Sequence, residues 1–287
     1  MRTAVVTDSN SGITQAQGKE LGIYVLPMPF MIDGKEYFED ITLSRKEFYE
    51  RMAGDADITT SQPSPESVMG LWDRILEEYD DIVHIPMSSG LSGSCQTALM
   101  LAEEYDGRVH VVDNHRISVT QRQAVLDAKK MADRGLSGGE IAEQLRKTGP
   151  DSTIYIMVDT LKYLKKGGRI TPAAAALGTL LRLKPVLTIQ GEKLDAYAKA
   201  RTLKQAKSMM LSAITRDLSA RWGDTDGSGS CLQIAHTENE EEALLLKEEL
   251  AANFPAAEIY VDALPLSIAC HIGPGSLAIA ATKKLDC

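Results

Sequence analysis

Short apolar runs alternate with amphipathic stretches through the first half of the chain. Thr3–Val6, Asp81–Met87 and Arg108–Val112 have the length and composition of strands, and the segments between them have helical spacing. That alternation predicts βαβ units and a parallel sheet. Tyr24–Phe30 and Lys35–Phe38 flank Ile32-Asp33-Gly34, where Asp-Gly is a hairpin signal. The stretch from Asp127 to Lys147 reads as helix broken at Gly138-Gly139, and the turn-rich Thr148-Gly149-Pro150-Asp151 follows it. A domain boundary is expected there, giving an N-terminal α/β domain over 1–150 and a second domain over 151–287.

The pattern then changes. Thr153–Val158 reads as a buried strand, and Thr171-Pro172 opens a helix of small residues with a cap and a proline at its first position. Lys184–Ile189 and Lys193–Ala198 bracket Gln190-Gly191-Glu192 as a hairpin, so antiparallel pairing is expected. Asp224–Ser230 has loop composition, and Glu238–Ala252 reads as an acidic helix with leucines on one face. The second domain is therefore predicted to be α+β with a mainly antiparallel sheet.

Composition narrows the function. The 287 residues are 44% hydrophobic and 25% charged, which is enough apolar material for two cores. A net charge of -9 and a pI near 5.2 argue against nucleic acid, whose binding requires a clustered basic face. The N-terminus reads as a first strand rather than a signal peptide, and no segment has the roughly 18 uninterrupted apolar residues of a membrane span. Cys95, Cys231, Cys270 and Cys287 are widely spaced, which suggests neither a disulfide framework nor a zinc site and points to a reducing cytoplasm.

Three loops could carry chemistry. Met87-Ser88-Ser89-Gly90-Leu91-Ser92-Gly93-Ser94 follows an apolar strand and precedes a helix over about Cys95–Glu104. Ligands bind at the carboxyl ends of strands in such sheets, and a helix start offers N–H groups to an anion. The same residues also serve as a tight turn and helix cap. Thr59-Thr60-Ser61-Gln62-Pro63-Ser64-Pro65 again precedes a helix, with capping as its plain alternative. Cys270-His271-Ile272-Gly273-Pro274-Gly275-Ser276 places a histidine in a glycine-rich turn before an expected final helix; His84, His110, His115 and His236 lie at strands or strand ends and are read as structural. Gly90–Ser94 approaches a nucleophile elbow but ends in serine, and between serine and histidine no acid stands out as the third member that a triad needs. No P-loop, dinucleotide fingerprint or metal-ligand spacing is present. A serine esterase or thioesterase, a binder of a phosphorylated small molecule, and a carboxylate binder remain open.

Taken in order, Thr7-Asp8-Ser9, Thr60-Ser61-Gln62-Pro63-Ser64, Ser88–Ser94, Leu164-Lys165-Lys166-Gly167-Gly168-Arg169-Ile170, Lys184-Pro185-Val186-Leu187 and His271-Ile272-Gly273-Pro274-Gly275 resemble the DegV family over essentially the whole chain. The resemblance implies a bacterial, cytoplasmic fatty-acid-binding protein with the ligand between its two domains. It further implies that Thr60 with Ser61, Ser92 with the Gly93 amide, and His271 hold the carboxylate. The protein would be the non-catalytic lipid-carrying subunit of a fatty acid kinase, needing no cofactor of its own and touching membranes transiently for lipid exchange. Arg169 and Arg201, in two basic clusters of an acidic chain, would then face the ATP-binding kinase subunit; by charge pattern alone they read as solvated faces. One departure follows Asp113: family members show a serine and a small glycine-containing run, whereas this chain has Asn114-His115-Arg116-Ile117-Ser118-Val119-Thr120-Gln121-Arg122. That bears on acyl-chain preference.

Overall fold

The computed structural model describes residues 2–54, 56–177 and 183–285; Cys287 lies outside them. In chain order the first half contains β1 (Thr3–Asp8), α1 (Gln15–Leu21), β2 (Tyr24–Leu26), β3 (Pro29–Ile32), β4 (Lys35–Phe38), α2 (Arg45–Ala53), β5 (Ile58–Thr60), α3 (Pro65–Leu76), β6 (Asp81–Ile85), α4 (Ser94–Ala102), β7 (Val109–Val111), α5 (Ser118–Asp133) and α6 (Gly138–Thr148). The second half contains β8 (Ser152–Met157), α7 (Lys162–Gly167), α8 (Pro172–Leu177), β9 (Lys184–Ile189), β10 (Asp195–Ala200), α9 (Leu203–Trp222), β11 (Ser230–His236), α10 (Glu240–Asn253), β12 (Glu258–Ala263), α11 (Leu266–Ile272) and β13 (Leu277–Lys283). Two compact units result: one spans 1–150 with Pro265–Ser267, the other 151–264 with 268–286.

In the first unit β2-β1-β6-β7 form a wholly parallel sheet. Every residue of β1 and β6 is buried, as expected of parallel strands covered on both faces. From β1 the chain goes to β2 on one side and, later, to β6 on the other, so a topological switch point lies between β1 and β6. Loops leaving the carboxyl ends of those strands border the crevice where such sheets bind ligands. A small antiparallel sheet, β4-β3-β5, sits in the same unit; its Asp33-Gly34 turn has both residues at positive φ.

The second unit is a six-stranded sheet, β10-β9-β8-β13-β11-β12, in which only β11 and β12 pair in parallel. Met210, Ile214 and Leu218 of α9 and Leu246 and Leu250 of α10 close its core over Tyr155, Leu232 and Ile279.

Local sequence cues failed in three places. Gly138-Gly139 open α6 rather than break a helix, because Ser137 caps it with a capping box to Glu140 and the interruption falls over 134–137. The Gly273-Pro274-Gly275 turn leads into β13, not a helix, and His271 belongs to α11. In α10, Ala243, Leu246 and Leu250 are buried but Leu244 and Leu245 point outward, so its leucines do not share one face.

Candidate functional site

In the first unit, Asp8 ends β1 fully buried and accepts hydrogen bonds from Met87 N (2.9 Å), Asn10 N (3.0 Å) and Gln121 Nε2 (3.0 Å). Burial raises its pKa above the ordinary carboxyl value, while those bonds pull the other way. Asp8 thereby fixes the loop after β6 to the end of β1. The loop continues with Ser88 N donating to Arg116 O (2.9 Å), Ser89 N to Asp113 Oδ1 (3.3 Å) and Ser92 N to Ser88 O (3.1 Å). Ser92 Oγ lies 2.9 Å from Ser94 Oγ and accepts from Ser94 N at 3.2 Å. The loop is also the turn and helix start that the plain alternative expects, with Gly93 as the N-cap of α4, though no side chain caps the helix. Among the described residues, no acceptor engages the Gly93 N–H. In contrast, Ser64 does cap α3, accepting from Ser67 N at 3.2 Å.

Thr60 ends β5 opposite Phe30 and is half-buried; Ser61 follows, exposed, its N–H donating to Pro29 O at 3.3 Å. This loop meets the first at Gln62, whose Oε1 accepts from Thr97 Oγ1 (3.2 Å) and lies beside Gly93. Thr60, Ser61, Ser92 and Gly93 thus belong to two loops tied to one another. A groove of about 870 Å³ in the same unit is lined by Pro27, Pro29, Phe38, Ile41 and Leu71 with Gln62, Ser64, Glu36, Glu66 and Arg74; Thr60, Ser61, Ser92 and Gly93 are not among its lining residues. It is in the size range of small-molecule sites.

His271 lies in the second unit, in the last turn of α11. A β-carbon on Gly167 would come 2.3 Å from its Nδ1, so glycine at 167 is what lets the imidazole lie against α7. The following turn is hydrogen-bonded to Thr237. Thr237 Oγ1 donates to Gly273 O (2.6 Å) and accepts from Ser276 N (3.0 Å), and Gly273 and Gly275 take positive φ against Tyr163 and Asp159. Burial, and then the nearby Arg169 charge, push the imidazole pKa down to about 4. At neutral pH His271 is therefore an uncharged donor and acceptor. Arg169 is half-buried, with Nη1 donating to Gly167 O, so it is part of the histidine's surroundings rather than a solvated charge. Arg201 is exposed just before α9, its N–H donating to Gln205 Oε1 at 2.8 Å. Among the described residues no helix is long and apolar enough to cross a membrane, and no group of three His, Cys, Asp or Glu could hold a metal ion.

The sequence model of the DegV family, described as uncharacterised proteins, matches residues 2–284. The chain belongs to the DegV family. The Bacillus subtilis Protein DegV is 31% identical over 282 residues, 97% of this chain and 98% of that one, and a DegV domain-containing protein of Deinococcus radiodurans is 30% identical over 281, 98% of each. Among solved structures, one of fatty acid binding by a DegV family protein from Thermus thermophilus superimposes with a TM-score of 0.89 at 34% identity, covering 99% of this chain and 100% of that one. Bacillus subtilis DegV, described there as a fatty acid binding protein, gives 0.87 at 30% identity over 99% and 100%. The mixed fold, parallel in the first unit and mainly antiparallel in the second, is that of DegV structures.

Sequence reasoning missed residues that hold these candidate loops from beneath. Asp8 was readable as an acid at a strand's carboxyl end; Gln121, which donates to Thr7 Oγ1, Asp8 Oδ1 and Ile85 O, was not. The segment after Asp113 holds His115 and Ser118 at positive φ without glycine, and buries Arg116 on the carbonyls of Thr148 (2.6 Å) and Gly149 (3.3 Å).

Proposed function

We propose that the chain binds a long-chain fatty acid by its carboxylate, buries the acyl tail and presents the acid to a partner kinase for phosphorylation. The observation that carries this reading is the start of α4, where the unengaged Gly93 N–H and the Ser92 hydroxyl stand at a helix N-terminus with no capping side chain. Such a start favours an anion. Thr60 and Ser61 add hydroxyls from the neighbouring loop, and neutral His271 donates an N–H without burying a second charge. Hydrogen bonds to a charged group contribute about 1.5 to 3 kcal/mol each and fix which end of the ligand sits here. The tail supplies affinity, at about 0.8 kcal/mol per buried methylene before association costs. DegV relatives of the same fold at 30% identity or more are described as fatty acid binding, which supports the ligand class.

Phosphoryl transfer requires ATP and Mg²⁺ with their ligands, and these come from a separate ATP-binding subunit. Arg169 and Arg201 are proposed to face it, the guanidinium fork suiting carboxylates or phosphates. The setting is the bacterial cytoplasm, with transient membrane contact for lipid exchange. The esterase alternative is disfavoured by Ser92, whose hydroxyl pairs with Ser94 rather than with a base.

Organic extraction of purified, folded protein is expected to yield about one long-chain fatty acid per chain, and Ser92→Ala to weaken binding by roughly tenfold to a hundredfold. A lipid-free extract together with unchanged affinity in the variant would refute the reading. In a reconstituted kinase assay, Arg169→Ala with Arg201→Ala should cut phosphorylation of the bound acid while leaving fatty-acid occupancy and melting temperature nearly unchanged; undiminished transfer, or loss of lipid alongside loss of transfer, removes both from the docking face.

A further inference from the structure

The helix α11, which carries His271 in its last turn, is only seven residues long. A helix that short does not hold itself in water, so its place is fixed by what it packs and bonds against. The residue before it, Pro265, has no side-chain oxygen with which to cap it. Leu266 N instead donates at 2.7 Å to Oε2 of Glu39, which follows β4 and stands 227 residues away in the chain. The other carboxylate oxygen of Glu39 accepts from Arg45 Nη2, also at 2.7 Å, and the side chain is 11% exposed. A carboxylate so placed meets the positive end of the helix.

The next residue of α11 is tied as well. Ser267 Oγ donates at 2.6 Å to Oδ1 of Asn10, a buried residue in the turn after β1. Asn10 N in turn donates to Asp8, which also accepts from Met87 N at the start of the Ser88–Ser94 loop. One chain of hydrogen bonds therefore joins the hydroxyl loop, the end of β1 and the first turn of α11. All of these partners belong to the first unit, as do Pro265–Ser267, whereas α11 from Ile268 onward belongs to the second. His271 stands five residues beyond Leu266, about 7.5 Å of helix rise.

We propose that Glu39 and Asn10 are positioning residues for His271: they anchor the first turn of the short helix whose last turn offers the imidazole to the ligand's carboxylate. The proposal rests on the fatty-acid reading above and deepens it. Both residues act through the helix rather than by contact with the acid. A role confined to stabilising the fold is separable from this one, because a positioning residue loses its effect on binding once the histidine is gone.

The test is a double-mutant cycle on the full-length protein, read as affinity for hexadecanoic acid and for its methyl ester. Glu39→Ala and Ser267→Ala are each expected to weaken binding of the acid by roughly tenfold and of the ester by much less, as loss of one hydrogen bond to a charged group would. In a His271→Ala background neither change should weaken the acid by more than about a further twofold. Glu39→Gln, which keeps an acceptor for Leu266 N, should recover most of the affinity. Ser267→Ala removes a single oxygen atom and supplies the same comparison should Glu39→Ala fail to fold. Losses that persist in full without His271, or that fall equally on acid and ester, show a purely structural role and overturn the proposal. Unchanged affinity in both variants overturns it too. Wild-type protein that does not bind the acid overturns the fatty-acid reading itself and is thereby distinguished.

Discussion

Gly167 decides where His271 can be, because any β-carbon there would overlap the imidazole. Gly167→Ala should therefore weaken fatty-acid binding about as much as His271→Ala does, roughly tenfold to a hundredfold, although residue 167 offers the ligand no side chain. Titration calorimetry on the two variants checks this; full affinity in Gly167→Ala would separate the histidine's position from binding. His115 illustrates the opposite situation. It holds φ at 57° with its side chain half exposed, a left-handed conformation costing a non-glycine residue about 1 to 2 kcal/mol. His115→Gly relieves that strain but loosens the unfolded chain, so a net gain of about 0.5 kcal/mol is expected in chemical denaturation. A loss of stability would mean that the contact with Asp113 outweighs the strain.

At the scale of elements, α6 is held at both ends by buried charges from elsewhere in its unit. Asp81 at the start of β6 accepts from Gly138 N at 2.7 Å, where the helix presents its positive end, and Arg116 donates to the last carbonyls, where it presents its negative end. Arg116→Met keeps the aliphatic bulk and removes the donors, so it should cost about 2 to 3 kcal/mol. Asp81→Asn keeps an acceptor and loses only the charge, at about 0.5 to 1 kcal/mol. Equal effects of the two would show that charge alone, not pairing of the carbonyls, holds the helix. The hairpins and the strand-loop-helix order around Ser88–Ser94 were readable in the chain; the start of α6 at Ser137 was not. Nor were its distant caps, since 57 residues separate Asp81 from Gly138.

For the molecule as a whole, buried neutral histidines make stability depend on pH in a definite direction. His84 and His271 have folded pKa values depressed to about 3 and about 4, against an ordinary value near 6.5. Below pH 6.5 the unfolded chain takes up protons that the folded one refuses. Their contribution is complete above 6.5 and is lost as pH falls from there toward 4 and 3. Asp8 and Asp127, whose pKa values burial raises, act oppositely, their stabilisation being lost as pH rises. Comparing wild type with His84→Leu isolates the one histidine. The variant's advantage should be larger at pH 5 than at pH 7.5 by roughly 2 kcal/mol, at about 1.4 kcal/mol per unit below 6.5. An advantage independent of pH would mean that His84 is not held neutral.

The chain's periodicity and turn residues determined the elements, the parallel first sheet and the antiparallel second one, because such signals act over a few residues and need no distant partner. The ordered motifs determined the family. Only the tertiary structure decided which helix starts have a side-chain cap and which do not: Ser64 caps α3, whereas α4 begins on Gly93 without one. It also decided that Arg169 stands beside His271 and that a histidine within an ordinary-looking apolar strand is an unpaired polar group. The physical reason is the same in each case. A hydrogen bond, a charge effect or an unpaired polar atom is a property of what surrounds a side chain, and at these positions the surroundings come from segments far apart in sequence.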